Sequence, residues 1–203
     1  MKHIIFDFDG VIIDSFQFHI KKMNEIYGIG LTEEEYSNRH VGNFYTNSFA
    51  KFDNIDFSDY AKQVAEEQSN LLPNQGSLKL LKDLSKKSRL HIITSGWKVQ
   101  VMPFFEKHKI VDLFDTFLFA EDGKKKSDKF NLIFNKNINP IDCIFITDTL
   151  GDLYESNEVG IQTIAVDFGY HSPELLKKGN PNYMVSSLAE MEGILDRFIN
   201  DRK

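Results

Sequence analysis

The sequence predicts an α/β fold in which helices cover a doubly wound parallel sheet. Short apolar runs typical of buried parallel strands recur along the chain, and amphipathic helical stretches separate most of them. The predicted strands are residues 3–8, 90–93, 117–120, 143–147, 161–166 and 183–186. The predicted helices between them are residues 78–87, 99–108, 128–137 and 150–159, and a last helix follows the capping-box pair Ser187 and Glu190.

Residues 16–75 (the cap segment) interrupt this alternation, because they carry helical patterns but no convincing strand. Phe16 and Ile20, for example, lie on one face of a predicted helix. We therefore predict two domains. Residues 1–15 and 76–203 form the α/β core domain, and the cap segment forms a small α-helical cap domain.

Composition and charge limit the partners and the compartment. Hydrophobic residues make up 41% and charged residues 27% of the 203 residues, as in ordinary globular proteins. The formal charge of −6 argues against nucleic acid as a partner, because binding to its backbone relies on Lys and Arg. Cys143 is the only cysteine, so no internal disulfide is possible. Without a signal-like segment or a bilayer-length apolar run, the sequence predicts a cytoplasmic protein that does not bind membranes.

Chemically capable side chains cluster where predicted strands end. They are Asp7, Asp9 and Gly10 after the first strand, Thr94, Ser95 and Gly96 after the second, and Asp148 and Asp152 after the fourth. Lys126 lies just before a predicted helix, for which Ser127 is the candidate N-cap. Because ligands of open α/β sheets bind at the carboxyl ends of the strands, we expect these side chains to converge at one edge.

The four aspartates predict a divalent cation. Carboxylates crowded together repel one another and raise one another's pKa unless a cation neutralises them. Oxygen ligands without neighbouring Cys or His suit Mg²⁺, which binds one or two carboxylates together with substrate phosphate oxygens. The sequence therefore predicts Mg²⁺ as cofactor and a small phosphorylated metabolite as substrate. The candidate phosphate-binding residues are Gly10, Thr94, Ser95, Gly96 and Lys126.

Four short motifs resemble, in order, the signatures of the haloacid dehalogenase-like hydrolase superfamily. DFDGVIIDS at residues 7–15 resembles the first and IITSG, with Thr94, the second. KKKSDKF, with Lys126, resembles the third, and ITDTLGD, with Asp148 and Asp152, resembles the fourth. The resemblance spans almost the whole chain and is to the branch of phosphoglycolate phosphatase-like enzymes. It implies a Rossmann-like core with a mobile α-helical cap inserted after the first motif.

The resemblance also implies a role for each catalytic residue. Asp7 attacks phosphorus and forms an aspartyl-phosphate. Asp9 protonates the leaving group and then deprotonates the water that hydrolyses the intermediate. Asp7, the backbone carbonyl of Asp9 and Asp148 hold the metal, and Asp152 either joins through water or orients the other ligands.

Some assignments remain open between neighbouring residues. Lys124, Lys125 and Lys129 are alternatives to Lys126, because all lie in one short lysine-rich stretch. The six histidines show no metal-ligand spacing, which predicts packing or solvent-exposed roles. His171 follows the fifth strand, and we expect it on a surface loop near the site.

The pattern favours a phosphatase. A phosphomutase of the same superfamily is the alternative. Asp9 argues against a dehalogenase, because the dehalogenase branch of the superfamily lacks the second aspartate. A phosphate-binding regulatory protein is a further alternative, but receiver domains place their acceptor aspartate on an internal strand and have no room for a cap. A non-catalytic protein of this fold would be expected to have lost Asp7 or Asp9. The sequence leaves the oligomeric state open.

Overall fold

A computed structural model describes residues 1–201. Its strands are β1 (His3–Phe6), β2 (Arg89–Ile93), β3 (Thr116–Leu118), β4 (Cys143–Thr147), β5 (Gln162–Val166) and β6 (Tyr183–Val185). They form a six-stranded sheet in the order β3-β2-β1-β4-β5-β6, in which every neighbouring pair is parallel. The chain thus winds outward from β1 in both directions. The predicted doubly wound α/β fold is confirmed.

Helices alternate with these strands as the sequence predicts. They are α1 (Phe16–Tyr27), α2 (Glu33–Arg39), α3 (Phe57–Ser69), α4 (Ser77–Leu84), α5 (Lys98–Lys107), α6 (Lys126–Phe134), α7 (Leu150–Val159), α8 (Pro173–Leu176) and α9 (Leu188–Asn200). Within residues 1–201, no helix is long and apolar enough to cross a membrane.

Both faces of the sheet are buried, which explains the uninterrupted apolar strands. Ile4 and Phe6 belong to the apolar cluster on one face, and Ile5 belongs to the cluster on the other. Successive residues of a strand point to opposite faces, so a strand covered on both sides needs apolar residues at every position. All three side chains are at most 2% exposed.

Several predicted boundaries differ from the structure by two or three residues, among them the ends of β1, β3 and α4 and both ends of α6. β1 ends at Phe6 rather than at Phe8, because the Phe8 carbonyl accepts the Ile12 N–H in a tight turn instead of pairing with a strand. Ser127 is not an N-cap, since α6 begins at Lys126. The carboxylate of Glu155 accepts the Lys126 N–H and so satisfies this helix start from a distant part of the chain.

The cap segment contains α1, α2 and α3, which pack around an apolar cluster of their own. Ile20, Met23 and Val64 lie in this cluster, and Tyr170 joins it from outside the segment. The spacing of Thr32 and Glu35 predicts a capping box at α2, and both of its hydrogen bonds are present.

The chain enters and leaves the cap segment side by side. Ile13 and Pro73 form an antiparallel bridge. The backbone N–H of Asn74 donates to Ile12 O at 2.8 Å, and its side-chain amide donates to Val11 O at 2.8 Å. Both connections therefore lie close to Asp9 and the end of β1.

Candidate active site

Asp7 and Asp152 lie on either side of the Lys126 ammonium group. The Lys126 Nζ donates to Asp7 Oδ2 and to Asp152 Oδ2, each at 2.5 Å. Asp7 Oδ1 accepts the Phe8 N–H at 2.7 Å, and Thr147 Oγ1 donates to Asp152 Oδ2 at 2.7 Å. Lys126 is only 2% exposed, so this ion pair is shielded from solvent. The ends of β1 and β4 and the start of α6 together position these groups.

Burial and neighbouring charges shift the pKa values of Asp7, Asp152 and Lys126 in different directions. Burial raises the pKa of Asp7, with a further rise from Asp152 and Asp148, and the charge of Lys126 opposes it only in part. Burial opposes ionisation of Asp152, but the charge of Lys126 and the hydrogen bonds to Asp152 outweigh it and lower its pKa. Burial alone would lower the pKa of Lys126, yet Asp152 and Asp7 raise it above its ordinary value. Lys126 is therefore a cation at neutral pH.

Asp148 has a carboxylate oxygen that nothing in the described residues satisfies. Its Oδ2 accepts the Tyr170 N–H at 2.7 Å, whereas its Oδ1 is buried without a hydrogen-bond partner. Burial raises the pKa of Asp148 to about 7. Glycines surround the carboxylate, since a Cβ at Gly10 would lie 1.8 Å from Asp148 Oδ2 and one at Gly169 would lie 2.3 Å from Asp148 Cβ. An unsatisfied buried carboxylate oxygen is a position that a cation fits.

The four aspartate side chains do not form one cluster. Among residues 1–201, no group of three or more His, Cys, Asp or Glu side chains is arranged to hold a metal ion. The Lys126 Nζ separates Asp7 from Asp152, and the Asp9 carboxylate binds side chains of the cap segment. Asp7 and Asp148 still fit Mg²⁺, which needs only one or two carboxylates.

Asp9 lies at the junction with the cap segment. Its Oδ1 accepts from Ser15 Oγ at 2.6 Å and from Gln68 Nε2 at 3.0 Å, and His19 Nε2 is 3.3 Å away. Gln100 Nε2 donates to Gln68 Oε1 at 2.6 Å and holds that amide in place. Burial alone would raise the pKa of Asp9, but the hydrogen bonds from His19 and Ser15 hold it below its ordinary value.

The end of β2 places Thr94, Ser95 and Gly96 beside the aspartates. Thr94 Oγ1 accepts the Gly96 N–H at 2.9 Å, so its own proton is free to be donated. Ser95 O accepts from the Tyr45 hydroxyl of the cap segment at 2.6 Å. All three residues line the pocket described below, together with Asp7 and Asp9.

Of the four candidate lysines, the structure brings only Lys126 to the aspartates. Lys129 is fully buried and donates to Thr94 O at 2.6 Å and to Phe119 O at 3.2 Å. Its ammonium group therefore links the residues that follow β2 and β3. Burial lowers its pKa to about 8. The Lys124 Nζ lies 4.2 Å from the ring centre of Tyr45, and Lys125 is an exposed residue.

The end of α2 in the cap segment docks on the start of α7. The Gly151 N–H donates to His40 O at 3.0 Å. His171 joins the same helix ends, because its Nδ1 accepts the Leu150 N–H and its Nε2 donates to Ser37 O, both at 2.9 Å. Unpaired amides at a helix start and unpaired carbonyls at a helix end thus satisfy one another.

The expectation of a surface position for His171 is wrong, since the residue is only 1% exposed. Sequence reasoning also missed His19 and Gln68 as partners of Asp9. Their contacts join residues 10 and 59 positions apart, and that of His171 with Ser37 joins residues 134 positions apart. The only available signal was the position of His19 on the first helix after the DFDG run.

A pocket lies between the cap segment and the strand ends. The charged groups that line it are Asp7, Asp9, Lys126, Asp148, Asp152 and Glu155. The aromatic groups that line it are Tyr36, Phe44, Tyr45, Phe57, Tyr60, Trp97 and Tyr170. The predicted site residues thus share one cavity with side chains of the cap segment, except Gly10, which does not line the pocket and whose N–H donates to Ile13 O at 2.8 Å.

A doubly wound parallel sheet with paired aspartates after β1 and a buried lysine beside them places the chain among α/β proteins with a candidate site at the strand ends. The haloacid dehalogenase-like hydrolase family model matches residues 4–166, and the chain belongs to that family. The predicted membership is thereby confirmed.

Several known proteins are similar to this chain. The phosphoglycolate phosphatase of Vibrio vulnificus (strain YJ016) is 23% identical over 140 residues, which are 66% of this chain and 60% of that protein. A predicted phosphatase from Clostridium acetobutylicum is 24% identical, with a TM-score of 0.77 over 97% of this chain and 98% of that one. CbbY from Rhodobacter sphaeroides in complex with phosphate is 18% identical, with a TM-score of 0.77 over 94% of this chain and 96% of that one. The chain spans less than two thirds of the Vibrio protein's length, and the two solved structures, each under 25% identical, show that it shares their fold.

Proposed function

We propose that this protein is a Mg²⁺-dependent phosphatase that hydrolyses a small phosphorylated molecule through an aspartyl-phosphate on Asp7. One observation carries the proposal, namely that the Asp7 carboxylate at the end of β1 lies 2.5 Å from the Lys126 Nζ in a pocket beneath the cap segment. Family membership, the names of the relatives and the phosphate bound in CbbY support it.

The residues of the site have distinct proposed roles. Asp7 attacks phosphorus in line, and Lys126 and the Thr94 hydroxyl stabilise the negative charge on the transferring phosphoryl oxygens. The backbone at Ser95 and Gly96, which line the pocket, adds polar contacts to the phosphate.

Against the effect of burial, the hydrogen bonds from His19 and Ser15 lower the pKa of Asp9, so Asp9 can act as the acid only when the negative charge of the bound phosphate raises that pKa again. Asp9 then gives its proton to the leaving oxygen and accepts a proton from the hydrolytic water. A hydrogen bond from Gln68 of the cap segment holds the Asp9 carboxylate in position.

Asp7, Asp148 and the backbone carbonyl of Asp9 are the proposed holders of Mg²⁺. The unsatisfied Asp148 Oδ1 supports this choice. When bound, Mg²⁺ supplies positive charge next to the phosphate oxygens and neutralises the carboxylates. Burial holds the pKa of Asp7 above its ordinary value, so a nearby cation favours the ionised nucleophile. Asp152, bonded to Lys126 and Thr147, orients Lys126.

In this proposal the two domains have different functions. Residues 1–15 and 76–203 form the core domain that carries the chemistry, and residues 16–75 form the cap domain that excludes water. Gln68 and Tyr45 support this division, because these cap-segment side chains bond directly to Asp9 and Ser95. Exclusion of water strengthens the electrostatic contacts within the pocket.

The test is release of inorganic phosphate from p-nitrophenyl phosphate. We expect Mg²⁺-dependent activity that is lost on chelation and in Asp7→Asn, while Asp14→Asn, an exposed aspartate in the same motif, keeps it. Unchanged activity in Asp7→Asn would refute the mechanism. A phosphomutase would instead convert a sugar phosphate to its isomer without releasing phosphate.

A further inference from the structure

The part of the pocket that the cap segment contributes is largely aromatic. Its lining residues include Tyr36, Phe44, Tyr45, Phe57 and Tyr60. Trp97, from the start of α5, adds a further ring to the same cavity. Phe44 packs against both Tyr45 and Phe57, with ring centres 5.2 Å and 5.0 Å apart. Phe44, Tyr45 and Phe57 therefore form one continuous aromatic surface.

No cation of the cap segment lines this pocket. Its basic residues are Lys21, Lys22, Arg39, Lys51 and Lys62. None of them is among the lining residues of the described chain. Lys22 pairs with Glu25 and Glu67, and Lys51 pairs with Glu35. The Arg39 guanidinium lies over the rings of Phe44 and Phe52, at 5.0 Å and 5.1 Å from their centres.

The remaining charges also disfavour a second anionic group on the substrate. Lys126 is the one Lys or Arg among the described lining residues, and Asp7 and Asp152 already bind it. Burial lowers the pKa of His40 to about 3, so this lining imidazole is neutral. His19 is engaged by Asp9 and by the Tyr60 hydroxyl.

Lys124 is the nearest alternative source of positive charge. Its Nζ lies 4.2 Å from the ring centre of Tyr45 and 4.6 Å from that of Trp97. Both rings line the pocket, but Lys124 itself is exposed and does not. Lys124 thus contacts two lining rings without itself lining the pocket.

We infer, on the basis of the proposed phosphatase function, that the substrate is a phosphate monoester whose leaving group is uncharged and carries an aromatic ring. An aromatic ring stacks on the lining rings, whereas a carboxylate or second phosphate meets acidic groups without a compensating cation. Nucleoside monophosphates and smaller aryl-methyl phosphates share this chemistry. Phosphorylated carboxylic acids and bisphosphates do not.

Three alkyl phosphates separate the effect of the ring from that of charge. Benzyl phosphate has a ring, isobutyl phosphate is neutral without a ring, and phosphoglycolate has a carboxylate, while all three release an alkoxide. We expect kcat/KM for benzyl phosphate to exceed that for isobutyl phosphate by roughly ten- to a hundredfold, and phosphoglycolate to rank last. A nucleoside 5′-monophosphate assayed in the same series shows whether the pocket prefers a nucleoside or a simple benzyl group.

Two matched variants test the aromatic wall. Phe57→Leu removes a lining ring, and Phe49→Leu removes a ring of the same apolar cluster that does not line the pocket. We expect Phe57→Leu to lose most of the preference for benzyl over isobutyl phosphate, measured as the ratio of the two kcat/KM values, and Phe49→Leu to keep that ratio. Thermal unfolding of both variants verifies that each is folded.

The outcomes separate this inference from the proposed function. A phosphoglycolate kcat/KM equal to or above that of benzyl phosphate overturns the inference and leaves the phosphatase intact. An unchanged benzyl preference in folded Phe57→Leu also overturns it. Absence of phosphate release from every monoester, p-nitrophenyl phosphate included, instead refutes the proposed function.

Discussion

Gly151→Ala should impair catalysis while leaving the protein folded. Gly151 is the second residue of α7, and its N–H donates to His40 O at 3.0 Å where the cap segment docks. A Cβ added there would lie 2.2 Å from Gly42 O and 2.9 Å from His40 O. Ordinary van der Waals contacts begin near 3.4 Å, so the cap segment has to retreat by about 1 Å.

The magnitude follows from that displacement. Because the cap segment supplies Gln68 and His19 to Asp9, a shift of about 1 Å is expected to reduce kcat/KM by about 10²-fold. The clash costs about 1–3 kcal/mol, and the preference of a helix for alanine over glycine offsets about 1 kcal/mol of it. We therefore expect the free energy of unfolding, followed by the midpoint of thermal unfolding, to fall by at most about 2 kcal/mol.

Gly193→Ala is the matched control, since Gly193 lies in α9 and an added Cβ would meet only Arg197 Nη1 at 3.9 Å. Both variants are assayed for p-nitrophenyl phosphate hydrolysis and for thermal unfolding. We expect wild-type activity in Gly193→Ala. Wild-type kcat/KM in Gly151→Ala would show that the docked position of the cap segment is irrelevant to catalysis.

Three further predictions follow from individual contacts. Lys126→Met should reduce kcat for p-nitrophenyl phosphate by roughly 10²- to 10³-fold, because it removes the ammonium group beside Asp7, whereas exposed Lys125→Met should not; equal losses would argue against Lys126. In the wild type, Mg²⁺ at a hundred times Kd should raise the free energy of unfolding by about 2.7 kcal/mol and thereby the unfolding temperature, and Asp148→Asn should abolish that rise. A rise of wild-type size would exclude Asp148 as a ligand. Thr32→Ala should lower the free energy of unfolding by about 1 kcal/mol and the melting temperature by about 2–4 °C, because it breaks the capping box of α2. An unchanged melting temperature would contradict that assignment.

The sheet was predictable because its burial is encoded locally. The predicted and observed bounds of β4 coincide at Cys143–Thr147, since a strand covered on both faces is apolar throughout and polar residues stop it at Asp148. The convergence of Asp7, Thr94 and Asp148 follows from parallel pairing, which brings the carboxyl ends of the strands to one edge.

The contacts that support the site residues were not predictable, because they join distant parts of the chain. Glu155 of α7 satisfies the start of α6, so local capping rules selected Ser127 wrongly. Likewise, His171 is buried only because α2 packs over it and accepts its proton at Ser37 O. Neither packing relation has a local sequence pattern, so sequence spacing could not reveal it.

The central claim is that Asp7 becomes covalently phosphorylated. The most direct measurement is to mix the enzyme with substrate and Mg²⁺, quench with acid within the first turnover, and locate the phosphoryl group by peptide mass spectrometry. The account predicts a mass increase of one phosphoryl group on the peptide that contains Asp7, absent in Asp7→Asn. Rapid turnover with no phosphorylated peptide at any quench time, or a phosphoryl group on another residue, would contradict it.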